Sequence, residues 1–156
     1  MIQQQAPSNI KALTILHFSL LVGQLVFAAI AYYLHYSGVF TGIDLGDNLT
    51  IVLVIIAVNA VVLTVLAFTM YKKKLDGIRN ANAPTGDKLI AYRAASLIRW
   101  AMLEAPVLLA IIAFLITGNI NLLLVAGVIL ILFITTRPTA AKAAAELQLS
   151  ESDLSA

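Results

Sequence analysis

Residues 49–71 read LTIVLVIIAVNAVVLTVLAFTMY, twenty-three residues with no charge and one amide, Asn59, near the centre. A helix rises 1.5 Å per residue, so about 20 apolar residues cross a hydrocarbon core of about 30 Å. The wealth of valine and isoleucine also suits a strand. An open sheet in lipid leaves backbone groups unpaired, however, and four strands cannot close a barrel. The stretch therefore predicts a membrane-crossing helix.

Three more apolar stretches flank it. Residues 12–34 (ALTILHFSLLVGQLVFAAIAYYL) lie upstream; 98–117, with a polar lead-in from Lys88, and 120–136 (INLLLVAGVILILFITT) lie downstream. A cleaved signal peptide is the rival reading for 12–34, because Ala29-Ile30-Ala31 resembles a cleavage site. The run is long for a signal sequence and continues through Tyr32, Tyr33 and Leu34, which favours a retained helix.

Composition agrees. The chain has 156 residues, of which 61% are hydrophobic and 12% charged. Soluble domains carry roughly 45–50% and about 25%. A chain this short cannot bury so much apolar surface in water. That disfavours a soluble enzyme, a nucleic-acid-binding module and a disordered protein. The net charge of +2 and the absence of cysteine rule out a strongly basic surface, a disulfide framework and thiolate chemistry. Two histidines, His17 and His35, do not make a metal centre alone. No cofactor motif, P-loop or dinucleotide fingerprint occurs.

The sequence thus predicts an all-α integral membrane four-helix bundle, built as two antiparallel hairpins in a single domain. The segment 35–48, with three glycines and two aspartates, reads as a turn-rich loop. Residues 72–88 (KKKLDGIRNANAPTGDK) read as a charged loop, Gly118-Asn119 as a tight turn, and Arg137-Pro138 as a helix stop. The alanine-rich tail, 137–156, is expected to form a short exposed helix before fraying. All ten lysines and arginines fall on one side of a four-span arrangement. The bias of such residues toward the cytoplasm predicts both termini and 72–88 there; the chain is expected in the inner (plasma) membrane.

The first and third stretches align without gaps. ILHFSLLVGQLVFAAIAYYL from Ile15 lies over LIRWAMLEAPVLLAIIAFLI from Leu97, with Ala31-Tyr32 over Ala113-Phe114. Duplication explains this, and so does shared topology, since any inside-to-outside helix favours cations and aromatic rings at its interfaces.

The polar exceptions carry the functional information. Glu104 lies five residues beyond Arg99 and so falls inside the hydrocarbon region, protonated or paired. His17, six residues beyond Lys11, lies at similar depth and is a candidate partner. Gln24 and Asn59, each thirteen residues beyond a basic residue (Lys11 and Lys72), sit near mid-membrane and are candidates to bond each other. The plainer reading makes the two amides packing contacts and His17 a hydrogen-bonded interface residue. For Glu104 the functional and the packing readings stand level. Arg99, Trp100, Lys72, Lys73 and Lys74 read as interface anchors, with Arg99 snorkelling to the headgroups. Three lysines also attract anionic lipid, although such clusters usually hold four to eight.

At RWAMLEAPVLLAIIAFLITGN and HFSLLVGQLVF the chain resembles small four-span bacterial integral membrane proteins that are uncharacterised. The resemblance implies the four-span fold and no particular activity or cofactor. The proteolipid rings of rotary ATPases match poorly, since their packing helices are glycine-rich and their carboxylate lies on a hairpin's outer helix. The reading that follows is a structural or accessory bundle, whose partners are the lipid bilayer and either further copies of itself or a membrane-protein complex. The alternative is a small oligomeric transporter or proton-coupled pore using Glu104. A lipid-modifying enzyme has the least support, as one carboxylate and one histidine do not form a catalytic set.

Overall fold

The computed structural model describes residues 6–150. Among them are five helices and no strand: α1 (Ala6–Tyr36), α2 (Asn48–Asn80), α3 (Thr85–Thr117), α4 (Ile120–Thr135) and α5 (Ala140–Leu147). The first three are long and apolar enough to cross a membrane, and α4 with α5 makes a fourth candidate broken by a 78° bend.

α3 is the hub. Its most extensive interface is with α2, then α4, then α1, whereas α1 and α2 barely touch. The expected first hairpin is therefore a hairpin in chain order, not in packing. Each helix shows α3 an inward stripe at helical spacing. On α1 it holds Ile10, Leu13, His17, Gln24 and Ala31; on α2, Ile56, Ala60, Ala67, Tyr71 and Leu75. Alanines at 60 and 67 allow close approach. The middle of the bundle is filled by Trp100, Leu103, Val107, Ile111, Phe114 and Leu122, all buried. The opposite faces are apolar and exposed, as at Phe18 and Leu25 on α1, Val58 and Val61 on α2, and Leu124 and Val128 on α4.

The segment 72–88 is not a loop. α2 continues to Asn80 and α3 begins at Thr85, so only 81–84 turns the chain. The reason is that the apolar stripe does not stop where the charges start. Tyr71, Leu75 and Ile78 keep i, i+4, i+7 spacing, and Leu89, Tyr92 and Ala95 answer from α3, so the charges ride on the outside. Pro84 precedes the first turn of α3, where its missing N–H costs nothing, and Asp87 sits at the positive end of that helix. α2 and α3 are each 33 residues, roughly 50 Å at 1.5 Å per residue. Their excess length forms a helical stem at the basic end. α3 stays helical through Pro106, which leaves the Met102 carbonyl without its helical donor.

α4 has 16 residues, about 24 Å, and is shorter than the expected span 120–136 needs on its own. Pro138 ends it. Thr139 then caps α5 by accepting from the Lys142 N–H at 3.2 Å. α5 is not an exposed tail helix. Ala143, Ala144 and Leu147 are buried, and α5 packs against α2 and α3.

At the far end, Gly118 adopts φ 69° and closes α3 with a left-handed cap. The His35 imidazole fills the space a Cβ there would need. The 37–47 segment folds back over this turn, and Ile43 N–H donates to the Ile116 carbonyl at 2.7 Å. A Cβ on neighbouring Gly42 would come within 2.9 Å of the Thr117 carbonyl carbon.

Candidate functional site

Two groups of polar side chains stand out. The first lies where the stem meets the bundle, built from α2, α3, α4 and α5. Arg99 is 4% exposed. Its guanidinium carbon lies 3.6 Å from the centroid of the Tyr71 ring, and Nη2 donates to the Thr136 carbonyl at 3.3 Å. Its Nε is buried without a partner. Arg99 does not snorkel, because Tyr71 closes over it and the helix end at Thr136 receives it. The cation–π contact replaces part of the hydration it loses.

Beside it, Glu146 collects donors from both walls of the stem. Tyr71 and Tyr92 each donate a phenol proton to the same oxygen, Oε2, at 2.7 and 2.9 Å. Arg79 Nε donates to the Glu146 carbonyl at 2.6 Å and Nη1 pairs with Asp76 at 3.2 Å. Lys142 Nζ donates to the Thr135 carbonyl at 3.0 Å. Burial holds the Lys142 ammonium below the usual lysine range, with Glu146 opposing and Arg99 reinforcing that shift.

The carbonyls at the end of α4 organise the other side. Pro138 prevents the helix from continuing, and its last carbonyls need outside donors. His17 Nε2 lies 3.0 Å from the Phe133 carbonyl, which requires the proton on Nε2. The Thr136 hydroxyl donates to the same oxygen at 2.6 Å. The imidazole stacks on Phe133, centroids 4.6 Å apart, and meets Trp100 edge-on at 5.0 Å. Thr14 Oγ1 donates to the Pro138 carbonyl at 3.0 Å, tying α1 to the same junction. Trp100 is 0% exposed, so it is a core residue and not an interface anchor. Lys72, Lys73 and Lys74 are exposed on α2.

The second group is the mid-bundle set. Gln24 is 1% exposed, and neither end of its amide has a partner. Asn59 and Glu104 are half-buried. Among the described residues neither makes a hydrogen bond or ion pair. Counted at 1.5 Å per residue from the His17–Trp100 and Arg99–Tyr71 contacts, all three lie within roughly 10 Å of one depth. The pairings read from sequence do not form: His17 turns to Phe133 instead of Glu104, and Gln24 and Asn59 do not bond because α1 and α2 both pack on α3. Among the described residues no group of three or more His, Cys, Asp or Glu could hold a metal ion.

Sequence reasoning missed Tyr71, Tyr92, Thr136 and Glu146. Tyr92 was reachable, since it continues the stripe through Leu89 and Ala95. Glu146 was not, because nothing local pairs a tail carboxylate with two phenols 75 and 54 residues away.

Comparison with protein-family models, with curated proteins and with solved structures finds no match to this chain.

Proposed function

We propose that the chain is a multi-pass protein of the inner (plasma) membrane, with four spans and with both termini and the α2–α3 stem in the cytoplasm. In this reading it is a structural or accessory component that acts by associating with further copies or with another membrane protein, and not by catalysis. The observation that carries it is the contrast between a filled interior and an unsatisfied exterior. Side chains from Trp100 to Phe114 occupy the bundle axis, while apolar faces and the unpartnered, half-buried Glu104 remain on the outside. Exposed apolar area of this extent needs lipid or protein against it, and an intramembrane carboxylate is costly without a partner. The basic residues gathered at one end supply the orientation.

The chain has no cysteine, so Ala105→Cys, next to Glu104, gives a single cross-linking position. The expected result is a cross-linked adduct in membranes, with a copy or with a second membrane protein, that Glu104→Leu reduces at least severalfold. Flux of ions or solutes catalysed by the purified protein in liposomes would overturn the reading.

One observation favours a second reading. Asn59 and Glu104 are only half-buried and lack partners among the described residues, as the lining of a pore formed between copies would. In that case Glu104→Gln abolishes pH-dependent flux in liposomes, and unchanged flux removes Glu104 from the pathway.

A further inference from the structure

A cavity of about 470 Å³ opens beside Arg99 where the apolar part of the bundle gives way to the stem. α2 contributes Phe68, Tyr71, Lys72 and Arg79; α3 contributes Arg99; Thr136 and Lys142 follow from α4 and α5. Four cations thus line it against one carboxylate, Glu146, and that carboxylate is already engaged by two phenols. The run Lys72–Lys74 alone is too short for a strong anion patch, but the fold adds Arg79, Arg99 and Lys142 from three other places in the chain.

Arg99 makes the cavity specific. It is buried, it has no carboxylate partner among the described residues, and one hydrogen bond to Thr136 is the only one it makes among them. Its Nε is an unused buried donor. Its guanidinium carbon lies 3.6 Å from the Tyr71 ring centroid, and a guanidinium is the side-chain group whose forked donors suit a phosphoryl group. Phe68, partly exposed on the apolar side, gives the same cavity a greasy lip.

We propose that this cavity binds the phosphoryl group of an anionic phospholipid from the cytoplasmic leaflet, with Arg99 as the central contact and Lys72 and Lys142 beside it. The chemistry shared by a lipid headgroup and free phosphate is the anionic phosphoryl group. The apolar lip and the position at the level where the basic end begins assign it to lipid over free phosphate. Basic pockets between helices on the cytoplasmic side recognise headgroups in this way. The inference rests on the membrane reading above.

The test uses the full chain, delipidated in detergent and titrated with phosphatidylglycerol, phosphatidylcholine or inorganic phosphate, with bound lipid counted by native mass spectrometry. Phosphatidylglycerol should bind at least tenfold tighter than phosphatidylcholine. Arg99→Gln should weaken it about tenfold or more, as loss of a charge-assisted hydrogen bond predicts. Arg99→Gln can also unfold the junction, so Lys72→Gln with Lys142→Gln is the second variant. Its control is Lys11→Gln with Lys73→Gln, which removes the same charge away from the cavity. A selective loss in the cavity pair supports the site. Equal loss in both pairs, or no preference for phosphatidylglycerol, overturns it. Inorganic phosphate that binds alone while phosphatidylglycerol does not would overturn the lipid assignment. The membrane reading fails separately, by recovery of the chain in the soluble fraction of cells.

Discussion

The Arg99 guanidinium sits 3.6 Å over the ring of Tyr71, whose hydroxyl reaches on to Glu146 at 2.7 Å. One phenol therefore joins a buried cation on α3 to a carboxylate on α5. The ring face receives the positive charge and the hydroxyl edge serves the negative one. This stack holds α5 across the base of the stem, at 78° to α4.

α5 should therefore come loose when Glu146 is removed. Ala144 lies on the buried face of α5, and Ala144→Cys places the only thiol of the chain there. In otherwise unaltered protein it should resist maleimide. With Glu146→Ala it should label at least tenfold faster, since hydrogen bonds to a charged group contribute about 1.5–3 kcal/mol. Equal rates would show that Leu147 and the alanines dock the helix unaided.

Trp100 is the only tryptophan, so emission reports on one site. Buried against His17, it should emit at the blue end of the tryptophan range and resist iodide in the water phase. His17→Ala should shift the emission to the red. A red-shifted, readily quenched spectrum in the unaltered protein would return Trp100 to the membrane interface.

Gly118→Ala meets two penalties. The left-handed backbone costs a non-glycine residue about 1–2 kcal/mol, and the new methyl collides with the His35 ring. Thermal melts in detergent should show a clear loss. Adding His35→Ala should recover the part due to collision and leave the backbone part. No recovery would place the whole cost in the backbone.

Gln24→Leu should raise stability by about 1–3 kcal/mol, the cost of desolvating an unpaired buried group. The two side chains are close in size, and both amide ends are unpartnered within the chain. A loss of stability would mean the amide is bonded in the membrane, to water or to a second chain.

Much of the framework was legible because burial in lipid imposes simple rules on sequence. The four apolar stretches, the turn at Gly118 and the stop at Pro138 follow from length, left-handed glycine and missing donors. The alignment of the first and third stretches has a spatial counterpart: Tyr32 and Phe114, which it superimposes, stack with centroids 6.4 Å apart. Charge misled the reading at 72–88. Lysines on the outer face hid the stripe Tyr71, Leu75, Ile78 that keeps α2 helical. The junction was out of reach for a different reason. Arg99 and Trp100 look like interface residues on α3 alone, and only α5, Tyr71 and His17 together bury them. The mid-bundle polar residues were found by composition, but their pairing was not, because depth along a helix does not say which helices are neighbours.

The central place of α3 also sets an order of events. α1 and α2 have almost no surface in common, and α3 ends at Thr117, 37 residues after α2 ends at Asn80. At about 5–20 residues per second of synthesis, that is a delay of roughly 2–7 s. For a chain threaded into the bilayer as it is made, the first two rods enter separately and wait, stable one by one but unassembled. The nascent chain would carry its uncovered amides, Gln24 and Asn59, through that interval, when an insertase or membrane chaperone has most to offer it.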